Sequence, residues 1–311
     1  MMEKRVYNMC HYTLPIVFLS LLISSCNYSV KKEIPTSYLS DFNKWHTKRI
    51  VFLRSEMGYL NLAGLYWLQE GENTFGSDSA NTILFHEKGA PFMGSFTLQN
   101  DQVHFTSGND QIKLNGKKVE KAIVYYDSLK EGDLKLTYSS LMWYIIKRPD
   151  VEKGDHYGIR VRDLAHENLA DSTIIERFPL DKSWKFKGTF TPYDPPKQIK
   201  RSNILDMVSV LNCPGKISFK KDGKLYSLEP VISGDKYFIV FADATSALET
   251  YGSGRFLYTS FPDENNEIIL DFNRAVNPAC AFSDHATCPL PTQENILDFR
   301  IEAGEKTYGK H

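Results

Sequence analysis

Apolar and polar positions divide the chain into four stretches. The first has a basic start at Lys4 and Arg5, an apolar run from Leu14 to Ile23, and then Ser24, Ser25 and Cys26. That run is shorter than the roughly 20 residues a spanning helix needs, and its basic start and small-residue end are those of a secretory leader. A polar segment up to Pro35 follows. From Ser37 the apolar residues Phe42, Trp45, Ile50, Leu53 and Met57 recur at near-helical spacing. With Ser40 and Asp41 as N-caps and Gly58 as the stop, they predict one amphipathic helix over residues 38–56. The apolar run Tyr59 to Leu68 leads into the first strands.

From Gly71 onward short β-rich pieces alternate with turns. Asn73–Gly76, Thr82–Phe85, Gly94–Leu98, Gln102–Phe105 and Leu141–Ile146 read as strands, and Asn115-Gly116 as a hairpin turn. The polar break from Arg148 to Gly154 reads as a domain boundary. Beyond it Tyr157–Arg162, Trp184–Phe190, Gly215–Phe219, Lys224–Leu228, Tyr237–Phe241, Arg255–Tyr258 and Ile268–Phe272 continue the rhythm, with Tyr193–Pro196 as a turn and Lys221–Lys224 as a hairpin. The fold expected is mainly β: two β-sandwich or barrel-like modules preceded by one amphipathic helix. The divisions are a leader over 1–25, a tether over 26–36, a helix plus sandwich over 37–148 and a second β-rich module over 149–311.

Composition agrees with a packed β protein. The 311 residues are 42% hydrophobic and include 17 Tyr and 19 Phe, residue types that favour strands. The formal net charge of −1 gives no basis for a nucleic-acid partner or a polybasic membrane surface.

The segment Ile23-Ser24-Ser25-Cys26 resembles the lipobox of bacterial lipoproteins. The resemblance implies that Cys26 is acylated as the first residue of the mature chain, so that the membrane is a partner through this anchor and the body sits on the periplasmic or surface side of the cell envelope. An oxidising compartment permits a disulfide between Cys280 and Cys288. Cys280, His285 and Cys288 could alternatively ligate zinc, but no fourth ligand is evident, and the disulfide is the preferred reading. Cys213 is left as a small buried apolar residue. Nothing in the sequence calls for a cofactor.

Polar chemistry concentrates in the last seventy or so residues. Asp243 and Thr245 follow an apolar strand, Tyr251 and Arg255 flank a Gly-Ser-Gly loop, and Asp271, Asn273 and Asn277 end another strand. Such a grouping can hold a small polar or anionic ligand, with Arg255 clamping a carboxylate or phosphate. Asp271 and Asn273, two apart, can share one face. The same residues also read as turn caps, with Arg255 paired structurally to Asp243 or Asp271. No nucleophile elbow, zinc-protease helix, P-loop or dinucleotide fingerprint is present.

Residues 65 to 148, through Gly76, Ile83-Leu84, Asn115-Gly116 and Leu129 to Asp133, resemble a forkhead-associated domain. That fold binds phosphothreonine through an arginine after the glycine and a serine before a histidine. Here Ser77 follows Gly76 and no Ser-x-x-His occurs, so the resemblance implies the scaffold without its site. Most of the mature chain, about residues 40 to 306, is similar to an uncharacterised bacterial family, domain-of-unknown-function family 1684. The carriers are Gly58–Leu68, Asn73–Ser77, Thr250–Leu257, Asp271–Ala275, Asn277-Pro278 with Cys280–Phe282, Cys288–Pro291 and Ala303–Lys306. The family brings no established activity. The expected function is an envelope lipoprotein that binds a small polar or anionic ligand, or an envelope partner, at its C-terminal module. The alternatives are an envelope or glycan-directed hydrolase using Asp243 or Asp271 as base with Arg255, and a structural envelope component.

Overall fold

A strand whose residues alternate between two apolar surroundings has no polar face, and Leu141–Arg148 is such a strand. Leu141, Trp143 and Ile145 enter one hydrophobic core, while Met142, Tyr144 and Ile146 are buried on the opposite side. The computed structural model describes residues 1–2, 33–170 and 175–309. The leader from residue 3, Cys26 and the tether through residue 32 lie outside the described residues, as do residues 171–174, 310 and 311. Among the described residues no helix is long and apolar enough to cross a membrane.

The N-terminal helix spans Thr36–Leu53. It starts directly after Pro35, whose φ of −55° already suits a helix, so Ser40 and Asp41 lie inside it rather than capping it. Phe42 and Leu53 are fully buried on its inner face. At Gly58 the chain doubles back so tightly that a Cβ would sit 2.3 Å from the carbonyl oxygens of Phe52 and Leu53. Only glycine fits there.

The protein is mainly β, in two sandwich-like layers of sheets. The first sandwich pairs a six-stranded sheet, in the order Leu62–Trp67, His156–Asp163, Leu141–Arg148, Leu136–Tyr138, Lys113–Leu114 and Lys117–Lys118, with a five-stranded sheet built from residues 71–125. Phe75, Phe85, Phe96, Phe105 and Trp143 fill the space between them. Asn115 and Gly116, at φ of 46° and 81°, make the expected hairpin. The polar segment after Arg148 does not separate modules: Arg148 pairs with His156, so residues 149–155 are a hairpin loop within the first sheet. The two long strands it joins are both central in that sheet, and the first sandwich runs on to Asp163.

The second sandwich stacks a four-stranded sheet, Lys224–Leu228, Val208–Lys221, Lys185–Ser202 and Glu267–Asp271, on a three-stranded one, Val231–Ser233, Lys236–Phe241 and Arg255–Thr259. Its core holds Phe190, Phe219, Phe241, Leu257, Leu270 and Phe272. Tyr193–Pro196, expected as a turn, is a bulge inside the long strand Lys185–Ser202. Pairing jumps from Pro192 opposite Gly215 to Lys197 opposite Cys213, because prolines cannot donate to the ladder. Residues 34–311 form one compact unit, and the irregular segment after Asp271 packs against both sandwiches and the helix.

Candidate functional site

The seven polar residues singled out in the C-terminal module do not form one site. Asp243, Thr245 and Arg255 make an internal latch. Gly254, at φ of 90°, lies so close to the Phe241 carbonyl that no side chain fits, and it delivers Arg255 into the interior. Arg255 Nη2 donates to Asp243 Oδ2 at 2.8 Å and to the Ile301 carbonyl at 3.1 Å, and Nη1 donates to the Ala303 carbonyl. Asp243 Oδ1 accepts from the Thr245 amide, the Thr245 hydroxyl and the Ile301 amide. Both charged side chains are fully enclosed. Burial pulls the Arg255 guanidinium below its ordinary pKa, and Asp243 opposes that shift. The pair fastens the C-terminal segment to the second sandwich and has no surface to offer a ligand.

Asn277 and Tyr251 also hold structure. The Asn277 side chain donates to the Lys306 carbonyl at 2.7 Å, and its backbone amide donates to Glu305, which in turn accepts two hydrogen bonds from Arg49 on the helix. Tyr251 is partly buried among apolar residues beneath the helix. Asp271 and Asn273 do converge, as their spacing predicts: Asn273 Nδ2 donates to Asp271 Oδ1 at 3.1 Å. The Tyr38 hydroxyl donates to the same carboxylate at 2.9 Å and Arg274 Nε at 3.2 Å. Burial first, and then the Asp271 charge, push the Tyr38 phenol well above its usual range. Asp271 also lines a cleft of about 600 Å³ between the helix and the strands around Tyr258 and Ile269.

Cys280 and Cys288 are disulfide-bonded, with Cα atoms 6.1 Å apart. Cys213 is a buried free thiol whose pKa burial raises. Among the described residues no group of three or more His, Cys, Asp or Glu is arranged to hold a metal ion.

A different set of residues builds the most unusual polar site. Arg160 and Arg162 alternate with Ile159 and Val161, which enter the first core, so the arginines face the opposite side of the sheet. That side is covered by the turn around Gly58 and by the segment holding Thr287 and the disulfide, and the two arginines are only 7% and 4% exposed. Tyr144, directly across from Arg160, accepts from Arg162 Nε at 3.2 Å and Nη2 at 3.0 Å. Arg162 Nη1 donates to Asn61 Oδ1 at 2.8 Å and to the Gly58 carbonyl. Arg148 Nε donates to the Thr287 hydroxyl at 2.7 Å, and its Nη1 pairs with Glu131 at 3.0 Å.

Arg160 is less well served. Among the described residues its guanidinium makes one side-chain hydrogen bond, at 3.5 Å to Thr287, its Nε is buried without a partner, and no carboxylate is ion-paired with it, Glu131 acting on it only at longer range. Desolvation, reinforced by the neighbouring Arg148 charge, pulls its pKa down to about 10. The three guanidiniums line one cavity of about 330 Å³ with Glu131 as its single carboxylate. An ionised side chain taken out of water without a counter-charge costs several kcal/mol, so native structures pair such groups or use them to bind. With Arg162 held by Tyr144, Asn61 and Gly58, it is chiefly Arg160 and the Nη2 of Arg148 that have N–H groups left for an oxyanion in this cavity. The signal was present in the strand Tyr157–Arg162, where arginines alternate with β-branched residues, but the sequence does not say that both faces of that strand are covered.

No curated protein matches the chain. Among solved structures, it is similar to the solution NMR structure of an uncharacterized protein from Haloarcula marismortui, at 29% identity and a TM-score of 0.39, over 47% of this chain and 82% of that one. Residues 171–306, which hold the whole second sandwich, match the family model described as protein of unknown function (DUF1684).

Proposed function

We propose that this protein is a cell-envelope lipoprotein, tethered through Cys26, that binds a small organic anion in the Arg148–Arg160–Arg162 cavity. The observation that carries the reading is Arg160: a guanidinium 7% exposed, with an unpartnered Nε and no ion-paired carboxylate among the described residues, Glu131 on the same cavity offsetting its charge only in part. A carboxylate or phosphate oxygen placed there accepts from that Nε and offsets a charge that Glu131 compensates only in part. Thr287 supplies a hydroxyl at the same place, and the disulfide fixes the segment that carries it. In this reading the first sandwich serves as a forkhead-associated-like scaffold, and its anion site is formed by a central strand pair instead of the loops that serve phosphothreonine in that fold.

The test is calorimetric titration of the purified protein with inorganic phosphate, sulfate and citrate, with chloride as the control. The expected result is saturable binding of at least one oxyanion, weakened tenfold or more by Arg160→Gln in protein that keeps its circular dichroism. Equal binding by Arg160→Gln and the parent would exclude the site. The anchor is tested separately, by mass spectrometry of the mature N-terminus: a chain still beginning at Met1 and carrying no lipid would remove the envelope assignment.

A further inference from the structure

The arginine cavity and the cleft beneath the N-terminal helix share two lining residues, Tyr59 and Phe256. The larger cleft is mixed in character. Trp45, Phe52, Tyr258 and Ile269 give it an apolar surface, and three of these, Phe52, Tyr258 and Ile269, are 39–45% exposed. Around them stand Lys48, Lys185 and Lys236, all exposed, for which no carboxylate partner is found among the described residues. The other two cations of the cleft are neutralised, Arg49 by Glu305 and Arg274 by Asp41 and Asp271. The cleft is therefore net positive, and the stems of its lysines extend its apolar lining.

From this juxtaposition we infer that the ligand is a single-chain anionic amphiphile. Its anionic head occupies the arginine cavity, and its aliphatic chain passes Tyr59 and Phe256 to lie in the cleft under the helix. This inference rests on the arginine cavity being the anion site. A chain fits the cleft better than a second polar group, because Trp45, Phe52, Phe256, Tyr258, Ile269 and Val276 line it and its buried charges, Arg49 and Asp271, are already paired. A positive field over the whole groove favours an anionic amphiphile over a neutral or cationic one of equal length.

The experiment compares inorganic phosphate with butyl, octyl and decyl phosphate, each kept below its micellar concentration, by calorimetry on the purified protein. Affinity is expected to rise with chain length, by up to about fourfold per methylene that becomes fully buried. Phe52→Ser and Tyr258→Ser, both at exposed positions, should flatten that rise and leave phosphate binding unchanged. Decyltrimethylammonium should bind at least tenfold more weakly than decyl phosphate. A change in tryptophan emission on binding decyl phosphate should disappear in Trp45→Phe.

The outcomes separate the two readings. Decyl phosphate binding no tighter than inorganic phosphate overturns the amphiphile and leaves the anion site standing. Chain-length dependence that survives both serine variants overturns the placement of the chain in this cleft. Loss of all binding in Arg160→Gln, with chain-length dependence in the parent, supports both. If neither phosphate nor any alkyl phosphate binds, the anion site and the amphiphile fall together.

Discussion

Arg255 and Asp243 meet at 2.8 Å with both side chains fully enclosed, and every oxygen of Asp243 is occupied by a donor from the protein. Arg160, by contrast, is nearly as buried and lacks an ion-paired carboxylate. The two arginines separate a charge used to hold the fold from a charge held ready for something else. The Asp243–Arg255 pair is withdrawn from the hydrolase alternative by this enclosure, since neither group can reach a substrate.

Breaking the latch should be costly. Asp243→Ala leaves Arg255 buried without a counter-charge and is expected to destabilise the protein by about 3–5 kcal/mol, read from urea midpoints. Replacing both members, Asp243→Leu with Arg255→Met, should cost clearly less than Asp243→Ala alone. A double variant as unstable as that single one would mean that packing, not the unpaired charge, sets the cost.

Arg160 should behave in the opposite way. Arg160→Met removes a buried charge that has no ion-paired partner while keeping most of its volume, and is expected to raise the melting temperature of the ligand-free protein, by about 1 kcal/mol of stability or more. The same change should abolish stabilisation by oxyanions. A lowered melting temperature together with intact oxyanion stabilisation would contradict the role given to this side chain.

Reducing the Cys280–Cys288 bridge opens a loop closed by residues eight apart. The loss expected is about 2–3 kcal/mol, from the entropy of so short a loop. Because Thr287 lies next to Cys288, oxyanion affinity should fall along with stability. Thermal melts and phosphate titrations with and without reductant check both effects.

The helix contributes a pH dependence. Burial, and then the Arg177 charge, lower the pKa of His46, with Glu305 partly opposing and Arg49 adding to the fall. A histidine whose folded pKa lies below its unfolded value binds its proton first in the unfolded chain, so stability is lost as pH drops below about 6.5. The melting temperature should therefore decline between about pH 7 and 5, and His46→Gln should flatten part of that decline. An unchanged slope in the variant would place the effect elsewhere.

The strand positions, the Asn115-Gly116 and Asp222-Gly223 hairpins and the helix carrying Phe42 and Leu53 were legible in the chain itself, because period-two and near-helical patterns and tight-turn residues act over a few neighbours. The boundary at Arg148 was misplaced because a polar hairpin loop and an interdomain linker have the same composition. What a charged residue is for depends on what covers it from far along the chain. Ile301 and Ala303 enclose Arg255 from nearly fifty residues away, while Thr287 reaches Arg160 across 127 residues and brings no carboxylate. The sequence by itself determined most of the strands, the Asn115-Gly116 and Asp222-Gly223 hairpins and the convergence of Asp271 with Asn273, but not that Tyr193–Pro196 is a bulge within one long strand. Only the tertiary structure decided which arginine is paired and which is left buried and open, since desolvation is a property of the whole packed molecule and is not written at any one position.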